Sequence, residues 1–164
     1  MKNALFVVAV VATVCLILNV LLWHRVSTLE AQARASSQDF PLGETMGYLQ
    51  RYADKAWYAG QAGNWKLARY YHDELAETAG GIVAAHVVKD GVPVSENMEE
   101  ILPPALDALG KSITAQDAAL FRDRYADMVT ACNACHTSAK HPFVHITVPQ
   151  APPTEWNQDF SAPP

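Results

Sequence analysis

"TAQDAALFRDRYADMVTACNACH", residues 114 to 136, decides the fold. Phe121, Tyr125, Met128, Cys132, Cys135 and His136 recur at steps of three and four, the spacing that gathers side chains on one face of a helix. The stretch predicts a long amphipathic helix that opens at Thr114, with Asp117 three residues on in a capping-box-like arrangement. Its apolar stripe needs partners, and the chain upstream supplies them.

Three further helices precede it. "ETMGYLQRYADKAWYAGQAG" (44–63) carries Met46, Leu49, Ala53 and Ala56 or Trp57 on one stripe. "NWKLARYYHDELAETAGG" (64–81) restarts after Gly60 and Gly63, with Asn64 as N-cap, Leu67, Tyr71, Leu75 and Thr78 on one face, and Gly80-Gly81 as a stop. Ile82 to Val88 either extends this helix or forms a short extended piece, and Gly91 and Pro93 predict a loop after it. The next helix starts near Ser95 and carries Met98, Ile101 or Leu102, Leu106, Leu109 and Ile113. Pro103-Pro104 lies inside it, so the helix restarts or bends there. Four amphipathic helices with short polar joints predict an all-α fold, a four-helix bundle able to hold a cofactor between facing helices.

The N-terminus has a different composition. "ALFVVAVVATVCLILNVLLW" (4–23) contains no charged residue, and twenty residues at about 1.5 Å each reach about 30 Å, the thickness of a hydrocarbon layer. A cleaved signal has a shorter apolar stretch with a small-residue site close behind, whereas "ARA" (33–35) begins ten positions after Trp23. Residues 1–25 therefore read as an uncleaved transmembrane anchor, with Cys15 a thiol inside the span. Residues 26–42 are polar and end at Pro41 with Gly43 just after, which predicts a helical stalk and a flexible joint. Residues 43–140 form the helical domain, and 141–164 a Pro-rich tail with interspersed Phe143, Val144, Ile146, Trp156 and Phe160, read as an extended strap. Past residue 35, nine Lys and Arg stand against sixteen Asp and Glu, an acidic balance that argues against nucleic acid as a partner.

Cys132, Cys135 and His136 make a C-x-x-C-H motif on one helical face. Two thiols one turn apart can add to the two vinyl groups of a haem, and the adjacent imidazole can reach the iron as axial ligand. The competing chemistries are weaker. Structural zinc needs four ligands, and the remaining cysteine is in the anchor, leaving His141 and His145 to complete a set. A dithiol redox motif belongs beside a βαβ unit, and this one comes late in a helical chain. Two ordinary core cysteines ahead of a histidine are the plainest alternative.

An all-helical domain whose single "CNACH" (132–136) comes late in its last helix resembles the cytochrome c′ group, the class II c-type cytochromes, over about residues 40 to 140. The resemblance implies an antiparallel bundle, one covalently bound haem c, His136 as proximal ligand and a distal side formed by the first bundle helix. The membrane anchor and the tail after residue 140 depart from that group, whose chains end soon after the motif and are soluble.

The sixth iron position sorts the functions, because Met or a second His fills it for electron transfer, whereas an open apolar pocket admits gases. Met46 is one candidate, and His145, nine residues past His136, is another. Leu49 and Tyr52 are candidates for the distal pocket. His141 follows His136 too closely to cross the haem, His72 beside Asp73 and Glu74 reads as solvent-facing, and His86 takes no role. Trp57, Tyr58, Trp65, Tyr70 and Tyr71 read as a packed loop, and Lys55, Arg122, Arg124 and Lys140 as unranked candidates for haem propionates.

Haem attachment takes place outside the cytoplasm, so the expected topology is a single pass through a bacterial inner membrane, with the haem domain in the periplasm and Lys2 inside. The expected function is one-electron transfer with a membrane-associated redox partner, since a tether raises effective concentration at a membrane complex. Gas binding (NO, CO or O2) of cytochrome c′ type and a structural haem subunit of a membrane complex are the alternatives. No acid-base constellation accompanies the motif, so an enzyme is not expected. An outward-facing stripe on the first bundle helix would allow a homodimer.

Overall fold

The computed structural model describes residues 2 to 151 and 157 to 161; Trp156, counted above among the apolar tail residues, lies outside them. The chain is all-α, with five helices and one two-stranded hairpin among the described residues. It divides into two compact units, residues 1–39 and 40–164.

The first unit is helix α1, Lys2–Gln38, which is continuous through the segment read as a stalk. Val10–Ala31 is long and apolar enough to cross a membrane, and its large side chains, among them Leu16, Leu22 and Trp23, are exposed.

The second unit is built from α2 (Leu42–Gln61), α3 (Trp65–Ala84), α4 (Val94–Ala115) and α5 (Ala118–Ser138). Each packs on the next, and α2 meets α5 to close the ring. The pairings run antiparallel: Tyr52 stacks on Tyr71 across α2 and α3, while Arg69 and His72 reach Gly110 and Leu106 across α3 and α4. Trp57 meets Tyr125 across α2 and α5. Leu49, Leu75, Ile82, Met98, Leu102, Leu109, Phe121, Tyr125 and Met128 form the shared core. Each large apolar side chain withdrawn from water in this way contributes about 1.5–3 kcal/mol.

Local chemistry sets the joints. Asn64 caps α3 as expected, its Oδ1 accepting from the Leu67 N–H at 3.1 Å. Gly63 before it takes φ +71°, a conformation that glycine enters without steric cost. Other joints depart from the sequence reading. Gly80 and Gly81 do not stop α3, which runs to Ala84 and ends at Ala85, with His86 at φ +50°. Both glycines stay inside because Ala79 and Ile82 beside them are buried, and that packing holds the turn.

The stretch read as a loop is a β-hairpin, β1 (Val88–Lys89) pairing β2 (Val92–Pro93) around Asp90-Gly91, both at positive φ. Asp-Gly between flanking valines is the signature of such a turn. Helix α4 neither stops nor restarts at Pro103-Pro104. Both prolines are exposed, so the carbonyls they leave unbonded, those of exposed Glu99 and Glu100, face water. Finally, α5 opens at Asp117 rather than Thr114, since α4 continues through Ala115 and turns at Gln116 with φ +55°. Asp117 Oδ1 accepts from the Ala119 and Leu120 N–H groups at 3.0 and 2.9 Å.

Candidate functional site

The C-terminal turns of α5 carry the motif. Cys135 is buried, while Cys132 and His136 are half-buried on the same side of the helix. Both cysteines are free thiols. Burial pushes the Cys132 thiol up to about 11, reinforced by the neighbouring Cys135, and burial also raises Cys135. Reactive dithiols have lowered values that favour the thiolate, whereas burial favours the neutral thiol at both of these positions. Among the described residues no three His, Cys, Asp or Glu side chains converge as a metal-holding group.

His136 is oriented from outside the helix. Its Nδ1 lies 2.7 Å from the Val144 carbonyl. A carbonyl only accepts, so Nδ1 carries a proton, and in the neutral imidazole this leaves the Nε2 lone pair to ligate a metal. The chain returns to this point through a sharply defined helix end. Lys140 takes φ +62°, the His141 N–H donates to the His136 carbonyl at 2.8 Å, and the Lys140 N–H donates to Thr137 at 3.0 Å. This is a Schellman motif with Pro142 just beyond, and it reverses the backbone beside the helix it has left. The Val144 N–H then donates to the His141 carbonyl at 3.0 Å. Two residues later Asn133 takes both backbone groups of Ile146, accepting from its N–H and donating to its carbonyl, each at 2.8 Å.

Beyond Ile146 the tail touches other helices. Ile146, Val148 and Phe160 pack against the core. Tyr58 donates to the Ala151 carbonyl, the Asn64 amide to Ser161 at 2.8 Å, and the Tyr71 hydroxyl to Gln158 at 2.8 Å. The Phe160 ring lies 5.5 Å from that of Tyr58.

Helix α5 packs mainly on α4, and its seam with α2 is the thinnest of the four. One end is filled by aromatic rings: Trp57 is 4.7 Å from Tyr125 and 5.9 Å from Phe121, and Trp65 is 5.8 Å from Phe121. The crowding at the turn is thus a ring cluster reaching α5, more than a packed loop. Trp57 to Met46 and Tyr125 to His136 are each eleven residues, so antiparallel helices of equal rise carry Met46 toward the level of His136. Met46 is half-buried against the core, and Leu49, one turn on, is buried. Tyr52 stacks between Tyr48 and Tyr71, with ring centroids 6.4 and 6.3 Å away. His145 is exposed, one residue from each tail anchor, Val144 and Ile146.

His72 corrects the sequence reading. It is buried, with Nε2 2.9 Å from the Leu106 carbonyl and Nδ1 3.0 Å from exposed Asp73. Asp73 faces water and Glu74 is half-buried while the imidazole turns inward to tie α3 to α4. Among the residues considered for propionates, Arg124 pairs with Asp127 at 2.8 Å and Lys55 stands 5.2 Å over the Tyr71 ring. Asn133 and Val144 were missed by sequence reasoning. An amide between the two cysteines was the available signal for the first, whereas a backbone carbonyl leaves no trace in sequence.

No family model, curated protein or solved structure matches this chain, so its chemistry rests on the geometry above.

Proposed function

We propose that residues 40–164 form the haem domain of a membrane-anchored monohaem c-type cytochrome, similar to the cytochrome c′ group, that exchanges single electrons with a membrane-associated redox partner. One observation carries this reading: a single face of α5 presents two free thiols and an imidazole whose Nδ1 donates to the Val144 carbonyl. Cys132 and Cys135 Sγ would form the thioethers, and His136 Nε2 would be the proximal ligand. Bound haem would supply a one-electron couple at the iron.

The protein's part is attachment, orientation and exclusion of water. A flat cofactor would enter at the thin α2–α5 seam, and Met46 and Leu49 belong to the same α2 stripe as Trp57, which meets Tyr125 of α5. The rings of Trp57, Tyr125 and Phe121 close one end of the seam. Helix α1 is long and apolar enough to serve as the tether, and haem attachment outside the cytoplasm would put the haem domain on the periplasmic side of an inner membrane. A gas-binding role of cytochrome c′ type is the second reading, favoured by the apolar side chains of Met46 and Leu49 on the helix that the resemblance makes the distal side.

The deciding measurement is the visible spectrum of the full chain, produced with a haem-attachment system and recorded oxidised and reduced, with and without carbon monoxide. Covalent haem with a spectrum that carbon monoxide leaves unchanged supports electron transfer. A spectrum that shifts with carbon monoxide moves gas binding to first place, and a chain without covalent haem overturns both.

A further inference from the structure

The tail after α5 is fastened at one place beside the motif by a side chain from within it. Asn133 is the first residue between the two cysteines, and its amide pairs with both backbone groups of Ile146 as a neighbouring strand would. The hydrogen bond from His136 to Val144 is exposed, where water competes for the carbonyl. It persists only if the carbonyl is held in place. The hydrogen bonds form a closed circuit: His136 carbonyl to His141 N–H, His141 carbonyl to Val144 N–H, Val144 carbonyl to His136 Nδ1, with Ile146 locked on Asn133 one turn of α5 before His136.

We propose that Asn133 is a positioning residue for His136: by holding Ile146 it places the Val144 carbonyl on Nδ1, fixing the imidazole tautomer and orientation that leave Nε2 available for iron. This deepens the haem reading above and rests on it for the identity of the metal. The tautomer itself belongs to the chain alone. A proton donated from Nδ1 to a carbonyl also makes the ring a stronger electron donor, which favours oxidised over reduced iron.

The test compares the full chain with Asn133→Ala in two states. In the haem-free protein, nitrogen NMR of His136 is expected to show the Nδ1–H tautomer, and Asn133→Ala to show a mixture with Nε2–H. Asn133→Asp keeps the acceptor for the Ile146 N–H and is expected to fall between them. In the haem-loaded protein, Asn133→Ala is expected to raise the reduction potential without loss of the thioethers. If Asn133→Ala does not fold, Ile146→Pro removes the N–H half of the same pairing from the tail side and is expected to give the same tautomer mixture. A His136 tautomer and a potential that both ignore these changes overturn the proposal. Failure of haem to attach to the unsubstituted chain overturns the function and leaves the tautomer comparison to decide the positioning role.

Discussion

Trp57 on α2 and Tyr125 on α5 meet with ring centroids 4.7 Å apart, and their contact sets the register in which Met46 approaches the level of His136. In the proposed haem-loaded form, Met46→Ala is expected to leave the thioethers of Cys132 and Cys135 intact and, where Met46 fills the sixth position, to open the iron to carbon monoxide. The check is the carbon monoxide difference spectrum of the reduced protein; an unchanged response removes Met46 from the sixth position.

Haem retention should follow the thiols one by one. Cys132→Ala or Cys135→Ala leaves one attachment point, and the double substitution is expected to release all haem on denaturation. Haem-stained denaturing gels read this directly. Haem that attaches to His136→Ala through the two thioethers should have an altered spectrum, since the imidazole would be the iron's ligand and not part of the covalent link.

The raised thiols make the haem-free protein sensitive to base. At pH 8 a thiol moved from 9.0 to about 11 has about 100-fold less thiolate, so iodoacetamide should label Cys132 about that much more slowly in folded than in unfolded chain. The sign for stability follows from the neutral form being favoured on folding. The unfolded thiol ionises first, so the contribution is complete below about pH 9 and is lost as pH rises toward 11. Denaturant titrations of haem-free protein across that window should show the loss, and thioether formation should abolish the Cys132 part of it.

Ser95 is buried and serves two backbone groups: its hydroxyl donates to the Ile82 carbonyl at 2.5 Å and accepts from the Val87 N–H at 2.7 Å. Ser95→Ala leaves both without a partner, at a cost of about 2–4 kcal/mol in unfolding free energy. Urea unfolding followed by circular dichroism measures it. A loss below about 0.5 kcal/mol would show that the hairpin junction takes in water to replace the hydroxyl.

Two positions test close backbone constraints. A Cβ at Gly60 would run into the Phe121 ring, so Gly60→Ala should destabilise by about 1–3 kcal/mol, against the usual benefit of alanine in a helix. Lys140 occupies the left-handed C′ position of the α5 terminus at φ +62°, so Lys140→Gly should stabilise by about 0.5–1 kcal/mol. Thermal melts of the two variants are expected to move in opposite directions.

Apolar spacing alone located the bundle helices, because a stripe at steps of three and four has one solution that buries it. It also put Cys132, Cys135 and His136 on one face. It failed where packing outweighed local preference. Gly80-Gly81 and Pro103-Pro104 look like helix ends, yet α3 and α4 run through them because buried neighbours secure each turn. His72 looked exposed because its sequence neighbours are charged, although a helix turns adjacent residues about 100° apart.

The sequence by itself determined the all-α class, the apolar N-terminal helix and the spacing of thiols and imidazole, since periodicity and covalent order are local. Only the tertiary structure decided what faces that imidazole. The Val144 carbonyl and the Asn133 clamp on Ile146 depend on a chain reversal at Lys140 and on hydrogen bonds spanning eight and thirteen residues. Backbone carbonyls are the same at every position, and distance and direction alone select the one that holds His136.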